Sequence, residues 1–397
     1  MRALLGGLAL ALAAPLVPAA PALASPGTAT TWSAPPQVAA AAERPTDRAA
    51  MPSLKVRRPM TGLTTPWDVQ PLGGRRLLVT ERDSARLLLW EKGETREVQF
   101  PSERIWTSGE TGLMSLEVDP AFARNGRFYT CSGWEKKKGR HDVRVIAWRL
   151  NDAGTRARLV EPLVAGFPTT SGRHGGCRLL VLRNGALLVG TGDAASSATP
   201  RDLKSLGGKT LRLDPRTGKP WPTNPFIDAR NRKKRFVHTF GHRNIQGLAQ
   251  RRDGSLWNAE HGPSIEDEVN KLVNGGDYGW QPGPGYDENV PMTDHSLPGR
   301  QVDARWSSGP TPATSGMAWV KGKQWGRLNG TLAVACLQGS KVIFMKFDRA
   351  GKLRWTRAPK ALQQDGRLRS ITNARNGDLL LTTSNGGGDK VLRVSAR

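Results

Sequence analysis

Several things are scarce in this chain. After the first two dozen of its 397 residues, no apolar run approaches the roughly 18 that a membrane span needs. No lipid-attachment cysteine follows the N-terminal apolar stretch. The three cysteines, Cys131, Cys177 and Cys336, are too few for a disulfide scaffold and lack metal-site spacing. In an oxidising compartment one pair can bridge and one is left over. No stretch sustains helical periodicity, which argues against an α-rich fold. Acidic residues are also scarce: 34 Asp and Glu against 59 Lys and Arg give a formal net charge of +25. Such a balance raises the question of nucleic-acid binding. The cations are scattered, however, the clusters EKKKGR and NRKKRF are short and loop-like, and no recognition motif or aromatic–basic platform accompanies them. The charge reads instead as a solvated surface that also suits anionic cell-wall or extracellular polymers.

What is present begins with a leader. Arg2 precedes the apolar ALLGGLALALAAPLVPAAPALA, which ends in small residues before Ser25. A basic start, an apolar centre and an A-x-A-like end are the parts of a signal peptide. Residues 1–24 are therefore expected to be removed and the protein to be secreted or extracytoplasmic, in the cell envelope, without membrane insertion. Residues 25–52, rich in Ala, Pro, Ser and Thr without periodicity, are expected to be flexible. The remaining residues, 53–397, suffice for one large β-domain or two smaller ones.

Within that span a small unit recurs: a glycine-containing turn, a short apolar strand, then polar residues. It appears as LGGRRLLVTERD (72–83), NGRFYTCSGW (125–134), NGALLVGTGDA (184–194), DGSLWNAEHGP (253–263), LNGTLAVACLQG (328–339) and NGDLLLTTSNG (376–386). Further short strands lie between the units. Six such units predict an all-β fold, a six-bladed β-propeller with four-stranded antiparallel blades, in which each blade buries its faces against its neighbours. The uneven spacing predicts long insertions between some blades. The strands end in TERD, TGDA, AEHGP, CLQG and TSNG. Either these polar ends only satisfy loop backbone groups, or they converge on one face and share a pocket; five together favour a site. Cys131 and Cys177 lie in neighbouring units and are one pair able to bridge.

The segments GETGLMSLEVDPAFARNGRFY, HGGCRL, GALLVGTGD, SLGGKTLRLDPRTGKP, GHRNIQGLA, EHGP, DEVNKLVNGGDYGW, SGMAW and GRLRSI occur in one order. Over roughly residues 60–395 they resemble the soluble sugar dehydrogenases that depend on pyrroloquinoline quinone (PQQ), the glucose/sorbosone or aldose sugar dehydrogenase family. That resemblance implies an oxidoreductase that takes an aldose-type sugar at C1 to the lactone, with PQQ and Ca²⁺ as cofactors. No haem-attachment C-x-x-C-H is present, so electrons would pass to a separate acceptor.

The resemblance also implies roles for individual residues. His174 in HGGCRL falls at the general base; an imidazole suits that task because its unperturbed pKa, about 6.5, lies near working pH. Asp193 closes the adjoining strand. Arg243 and Asn244 of GHRNIQG would contact the quinone oxygens, where developing negative charge needs fixed donors, and Gln246 would help to shape the site. The carbonyls of Gly262 and Pro263 would bind a calcium ion that also binds the cofactor. Glu268 and the Tyr278 carbonyl match a second, structural calcium site. Asp267 and His261 are candidates for substrate or supporting roles. Arg367 and Arg369, at alternate strand positions and so expected on one face, match the pair that binds the cofactor's carboxylates.

Three positions depart from the family pattern. Gln338 stands where the family has a cofactor-binding lysine, although Lys341 is three residues on. Glu110, facing substrate by resemblance, replaces a common glutamine. Cys177 replaces a glycine. The first two make the site up to two charge units less favourable to an anion. They support the alternative expectation, a catalytically degenerate propeller that binds carbohydrate or a partner protein. The presence of His174, Arg243, Asn244 and both arginines supports the enzyme.

Overall fold

The computed structural model describes residues 51–397, apart from the side chain of Lys138. The expected leader, 1–24, and the Ala/Pro-rich segment as far as residue 50 lie outside the described residues. No helix among the described residues is long and apolar enough to cross a membrane.

Among these residues 24 strands form six four-stranded antiparallel sheets, each made of strands consecutive in the ring. Strand β1 (Leu54–Leu63) comes first in sequence but belongs to the last blade. Blade one holds β2 (Pro66–Gly73), β3 (Arg76–Glu81), β4 (Leu87–Glu91) and β5 (Glu94–Glu97). Blade two holds β6 (Leu113–Val118), β7 (Arg127–Glu135), β8 (His141–Leu150) and β9 (Ala157–Phe167). Blade three holds β10 (Gly176–Val181), β11 (Leu187–Thr191), β12 (Lys209–Leu213) and β13 (Val237–Phe240). Blade four holds β14 (Ile245–Gln250), β15 (Leu256–Glu260), β16 (Glu268–Lys271) and β17 (Trp306–Ser307). Blade five holds β18 (Thr314–Trp319), β19 (Leu332–Cys336), β20 (Lys341–Phe347) and β21 (Leu353–Arg357). Blade six holds β22 (Leu368–Asn373), β23 (Leu379–Thr383) and β24 (Asp389–Ala396), completed by β1. The pairing of Leu54 with Ala396 and of Val56 with Val394 closes the ring. The molecule is the six-bladed β-propeller that the repeats predict.

All six repeat units fall on the second strand of a blade. The reason lies in how that strand is buried. In β3, Leu78 packs with Phe128 and Trp148 of blade two, whereas Leu77 and Val79 pack with Leu380 and Val391 of blade six. In β23, Leu379 and Leu381 face blade five while Leu380 faces blade one. Successive side chains of a strand point to opposite faces, and here both faces are covered, so the strand reads as a continuous apolar run. One apolar cluster fills each of the six interfaces between neighbouring blades. The turn before these strands needs a left-handed residue, which Gly185 (φ 92°) and Gly254 (φ 98°) supply. The uneven spacing of the units comes chiefly from insertions inside blades rather than between them, between β12 and β13 of blade three and, the longest, between β16 and β17 of blade four.

Cys131 on β7 and Cys177 on β10 are joined as a disulfide, with Cα atoms 5.7 Å apart, linking blades two and three; Cys336 is free and buried. Cys177 has φ 70°, the left-handed region that favours glycine.

The six first strands enclose an axial cavity of about 240 Å³, lined by residues of all of them, including Asp68, Glu117, Arg178, Leu248, Met317 and Ile371. Burial, and then the neighbouring Asp68, push the Glu117 carboxyl up to about 8, against the Val118 N–H and the Arg178 charge.

Two outcomes follow. Under denaturing, non-reducing conditions a thiol titration should find one free cysteine, and three after reduction. A carboxyl raised in the folded state contributes stability that is complete below its unfolded value of 4.5 and is lost as pH rises through about 8. Glu117→Gln, which cannot ionise, should therefore melt with the wild type near pH 4.5 and above it at about pH 9. Equal melting temperatures at both pH values would refute this.

Candidate active site

Each first strand starts, and each second strand ends, on one face of the propeller, so the polar strand ends gather there. His174 precedes β10 in a left-handed conformation (φ 53°) and is 3% exposed. Its Nδ1 lies 2.9 Å from Oδ1 of Asp193, just beyond the end of β11. Gly192 makes this approach possible, since a Cβ there would fall 1.9 Å from the His174 carbonyl oxygen. The Asp193 carboxylate is fully buried and accepts three further hydrogen bonds. They come from Trp280 Nε1 (2.8 Å) and the Tyr286 hydroxyl (2.7 Å) at Oδ2, and from the Ala195 N–H (2.8 Å) at Oδ1. The carboxylate thus holds the proton on Nδ1 and leaves the lone pair on Nε2. The Tyr286 hydroxyl is also 2.9 Å from Nδ1. Burial and Asp193 raise it well above the usual phenol range, so it remains a donor.

In GHRNIQG the polar side chains have different tasks. His242 is structural: it lies 2.8 Å from Glu260 Oε1 and stacks on Tyr278 at 4.4 Å. The Arg243 N–H donates to Glu260 Oε2 at 2.9 Å, which fixes the backbone. Its guanidinium donates to the His261 carbonyl (3.0 Å) and to Glu288 Oε1 (3.0 and 2.5 Å), and lies 5.6 Å from the Trp280 ring centre. Arg173 pairs with the other Glu288 oxygen. Asn244 donates to Glu110 Oε2 (3.0 Å) and accepts from Gln246 Nε2 (3.0 Å), while Gln246 Oε1 accepts from Arg369 Nη1 (2.8 Å). A chain of hydrogen bonds therefore runs from Glu110 to Arg369. Glu110 also accepts from the His174 N–H at 3.2 Å. Burial pushes the Glu110 carboxyl up, but the His174 and His261 rings, the Asn244 amide and Arg369 outweigh it and hold it below the usual range.

Arg369 is buried at the centre of a group of cations. Burial and the charge of Arg82 push its guanidinium down to about 9; Glu110 opposes this, and Arg178 and Arg367 add to it. It still carries its proton at neutral pH, in a pocket short of negative charge. Its Nε has no partner, nor has Nη2 of Arg178. Buried donors without acceptors are costly, and an anion reaching them would satisfy them. Arg367 is exposed just before β22, and the pairing shifts between Leu368 and Ser370. The two arginines therefore do not follow strict strand alternation, yet their charges still meet.

Among the described residues no three His, Cys, Asp or Glu side chains are grouped to hold a metal. The expected cation sets rely instead on the carbonyls of Gly262, Pro263 and Tyr278 and on the carboxyl of Glu268. That carboxyl is raised well above the usual range by burial and by Glu260, and it accepts from Asn270 (3.1 Å) and Thr293 (2.9 Å). Asn258 and Asn270 both donate to Glu260, which leaves their Oδ1 atoms buried and without donors. Two carboxyls and two unpartnered carbonyl oxygens form an oxygen-rich, electron-rich environment that suits a hard cation.

Asp267 is placed differently from a substrate contact. It is fully buried and accepts from the Gly262 N–H (3.0 Å), the Thr311 hydroxyl (2.5 Å) and the Thr314 N–H (2.6 Å), bracing the loop that carries Gly262 and Pro263. Gln338 is exposed and lines an open cleft of about 580 Å³ with Trp306, Thr311 and Lys341. No hydrogen bond joins Gln338 to the cluster among the described residues. His261, beside Asp267 and Glu110, is held below its ordinary value by burial, and its Nε2 has no partner. Sequence reasoning gave no role to Trp280, the last residue of DEVNKLVNGGDYGW, and did not find Tyr286 and Glu288 at all. They come from the segment between β16 and β17, where QPGPGYDEN offers turn residues and a lone tyrosine but no periodicity.

Comparison with known proteins gives a consistent result. Residues 63–393 match the family described as Glucose / Sorbosone dehydrogenase. The aldose sugar dehydrogenase of Escherichia coli is 26% identical over 343 residues, 84% of this chain and 91% of that protein. The crystal structure of a putative oxidoreductase (glucose dehydrogenase) from Thermus thermophilus superposes with TM-score 0.72 at 31% identity, covering 86% of this chain and 100% of that one. The PQQ-bound aldose sugar dehydrogenase of Streptomyces coelicolor superposes with TM-score 0.72 at 28% identity, covering 88% and 100%.

The bracing by Asp267 can be measured. Asp267→Ala strands two buried backbone N–H groups and a hydroxyl, and should lower unfolding free energy in denaturant by about 3 kcal/mol. A loss under about 1 kcal/mol would mean that the loop does not depend on it.

Proposed function

The chain belongs to the glucose/sorbosone dehydrogenase family, and from that membership we propose that it is a PQQ- and Ca²⁺-dependent oxidoreductase that oxidises an aldose-type sugar at C1 to the lactone. The observation that carries this reading is His174. Its Nδ1 is fixed on Asp193, its Nε2 is left to accept a proton, and the Glu110–Asn244–Gln246–Arg369 chain lies beside it.

The residues fit the cofactor. PQQ carries three carboxylates, and the buried Arg369, with Arg178, Arg82 and Arg367 around it, presents unpartnered donors to such a group. Arg82 is itself paired with Asp83, and Gln338, which stands where the family has lysine, lies on the exposed cleft. When bound, PQQ supplies an ortho-quinone able to accept the hydride that leaves C1. His174 takes the proton of the anomeric hydroxyl at Nε2. Asp193 and Tyr286 keep the ring oriented and stabilise the imidazolium that results. Arg243 offers a permanent charge and planar donors to negative charge developing beside it, and Asn244 adds a neutral donor. Glu110, ionised and half-buried, is placed to accept hydrogen bonds from sugar hydroxyls and to disfavour anionic sugars. The carbonyls of Gly262 and Pro263 would hold the catalytic calcium, with Glu268 and the Tyr278 carbonyl at a second, structural one.

A secreted or extracytoplasmic location is supported by the apolar leader and by the Cys131–Cys177 bridge, since disulfides persist in oxidising compartments. The sequence has no haem-attachment motif, so a separate molecule would take the electrons.

Equilibrium dialysis with Ca²⁺ should show PQQ uptake at micromolar concentration, and the loaded protein should reduce an artificial acceptor when given sugars. Absence of uptake would sink the proposal. His174→Ala should lower turnover about a thousandfold, within the range for a general base, while PQQ affinity stays close to wild type.

A further inference from the structure

The hairpins that join first to second strands turn on the face opposite the candidate active site, and so do the third-to-fourth hairpins. Each of the six first-to-second turns carries an Arg or Lys at or beside it, from Arg75 and Arg183 to Arg252 and Arg375. Where blades one and two meet on this face, the cations converge on an open cleft of about 810 Å³. Its walls come from three separate segments: Arg76 at the start of β3, Arg124 before β7, and Arg149, Arg156 and Arg158 of the β8–β9 hairpin. Asp152 is the one acid in the lining. Arg76 approaches Glu91 only at 4.0 Å, and the other four arginines are exposed with no carboxylate partner among the described residues.

Like charges gathered in one cleft repel, and an anion relieves that repulsion. Guanidinium forks arriving from three directions suit a tetrahedral phosphate better than a planar carboxylate, which offers its two oxygens in one plane. The one aromatic ring in the lining, Phe122, is 8% exposed, so nucleic-acid bases have no platform to stack on. The cations continue past the cleft around the hairpin ring, which suits a chain of phosphates rather than a single ion. We propose that this cleft binds a phosphodiester-linked polyol or glycan polymer, which holds the propeller by the face away from the candidate active site and leaves that site open to small molecules. The proposal stands independently of the catalytic reading, and its test needs no cofactor.

The test is fluorescence anisotropy of labelled poly(glycerol phosphate) with the purified protein near physiological ionic strength. The triple variant Arg124→Gln/Arg149→Gln/Arg158→Gln should bind about tenfold more weakly, and the single Arg149→Gln should show a smaller loss. A control with the same charge change on an exposed loop, Arg230→Gln/Arg232→Gln/Lys233→Gln, should bind within about twofold of wild type. Unchanged melting temperatures would show that both triples are folded; if the cleft triple unfolds, the single variant decides. Equal losses in the two triples would overturn the proposal in favour of a diffuse field. So would absence of wild-type binding, or binding of inorganic phosphate, single-stranded RNA or anionic lipid vesicles as tight as that of the polymer.

Discussion

The ion pair between Asp68 and Arg178, 2.7 Å apart and buried near the propeller axis, is the contact on which both ring and site depend. Asp68 in blade one also accepts from the Ser115 hydroxyl and the Leu116 N–H of blade two. Arg178 in blade three donates to the Gln246 carbonyl of blade four and lies 4.1 Å from the Trp67 ring centre. The Gln246 side chain then reaches Arg369 of blade six, which in turn lies 3.5 Å from the Ser315 hydroxyl of blade five. One network therefore touches all six first strands. A buried ion pair is weak evidence for net stability, because desolvation offsets most of its attraction. Its value here is positional: the contacts that set the blades around the axis also hold Asn244, Gln246 and Arg369 at the candidate active site.

The charges of the candidate site are sorted by depth. The arginines nearest the axis, Arg178 and Arg369, are buried, whereas the carboxylates of Glu110 and Glu288 are half-buried beside the histidine. A small polycarboxylate would be drawn to the inner group, and a neutral polyol would meet the outer acceptors. Glu288 has a second effect. By pairing with Arg243 and Arg173 at once, it ties the long segment between β16 and β17 to the strand that carries GHRNIQG.

The blades were legible in sequence because each second strand is buried on both faces and so appears as an apolar run behind a glycine turn. The polar strand ends gather on one face for the same topological reason. Side-chain direction was less legible. Arg367 and Arg369 are expected on one face of a strand, and a shift in strand pairing between them leaves one exposed and the other buried. Asp267 has the chemistry of a substrate contact, but three donors within its own fold occupy its oxygens. Gln338 stands at the position a motif assigns, yet the motif cannot tell which cleft its side chain faces. Tyr286 and Glu288 left no signal because an irregular insertion has no period from which to infer where its residues land.

At Cys177, where the resemblance implies a glycine, the structure gives the exchange a physical meaning. At φ 70° the backbone asks for glycine, and a cysteine is kept there by its covalent bond to β7. The exchange places a redox-dependent tether three residues from His174. A chain produced in a reducing cytosol would keep the strained residue and lose the bond that holds it. The position of the imidazole would then depend on where in the cell the protein had folded, a dependence that a glycine at residue 177 would not bring.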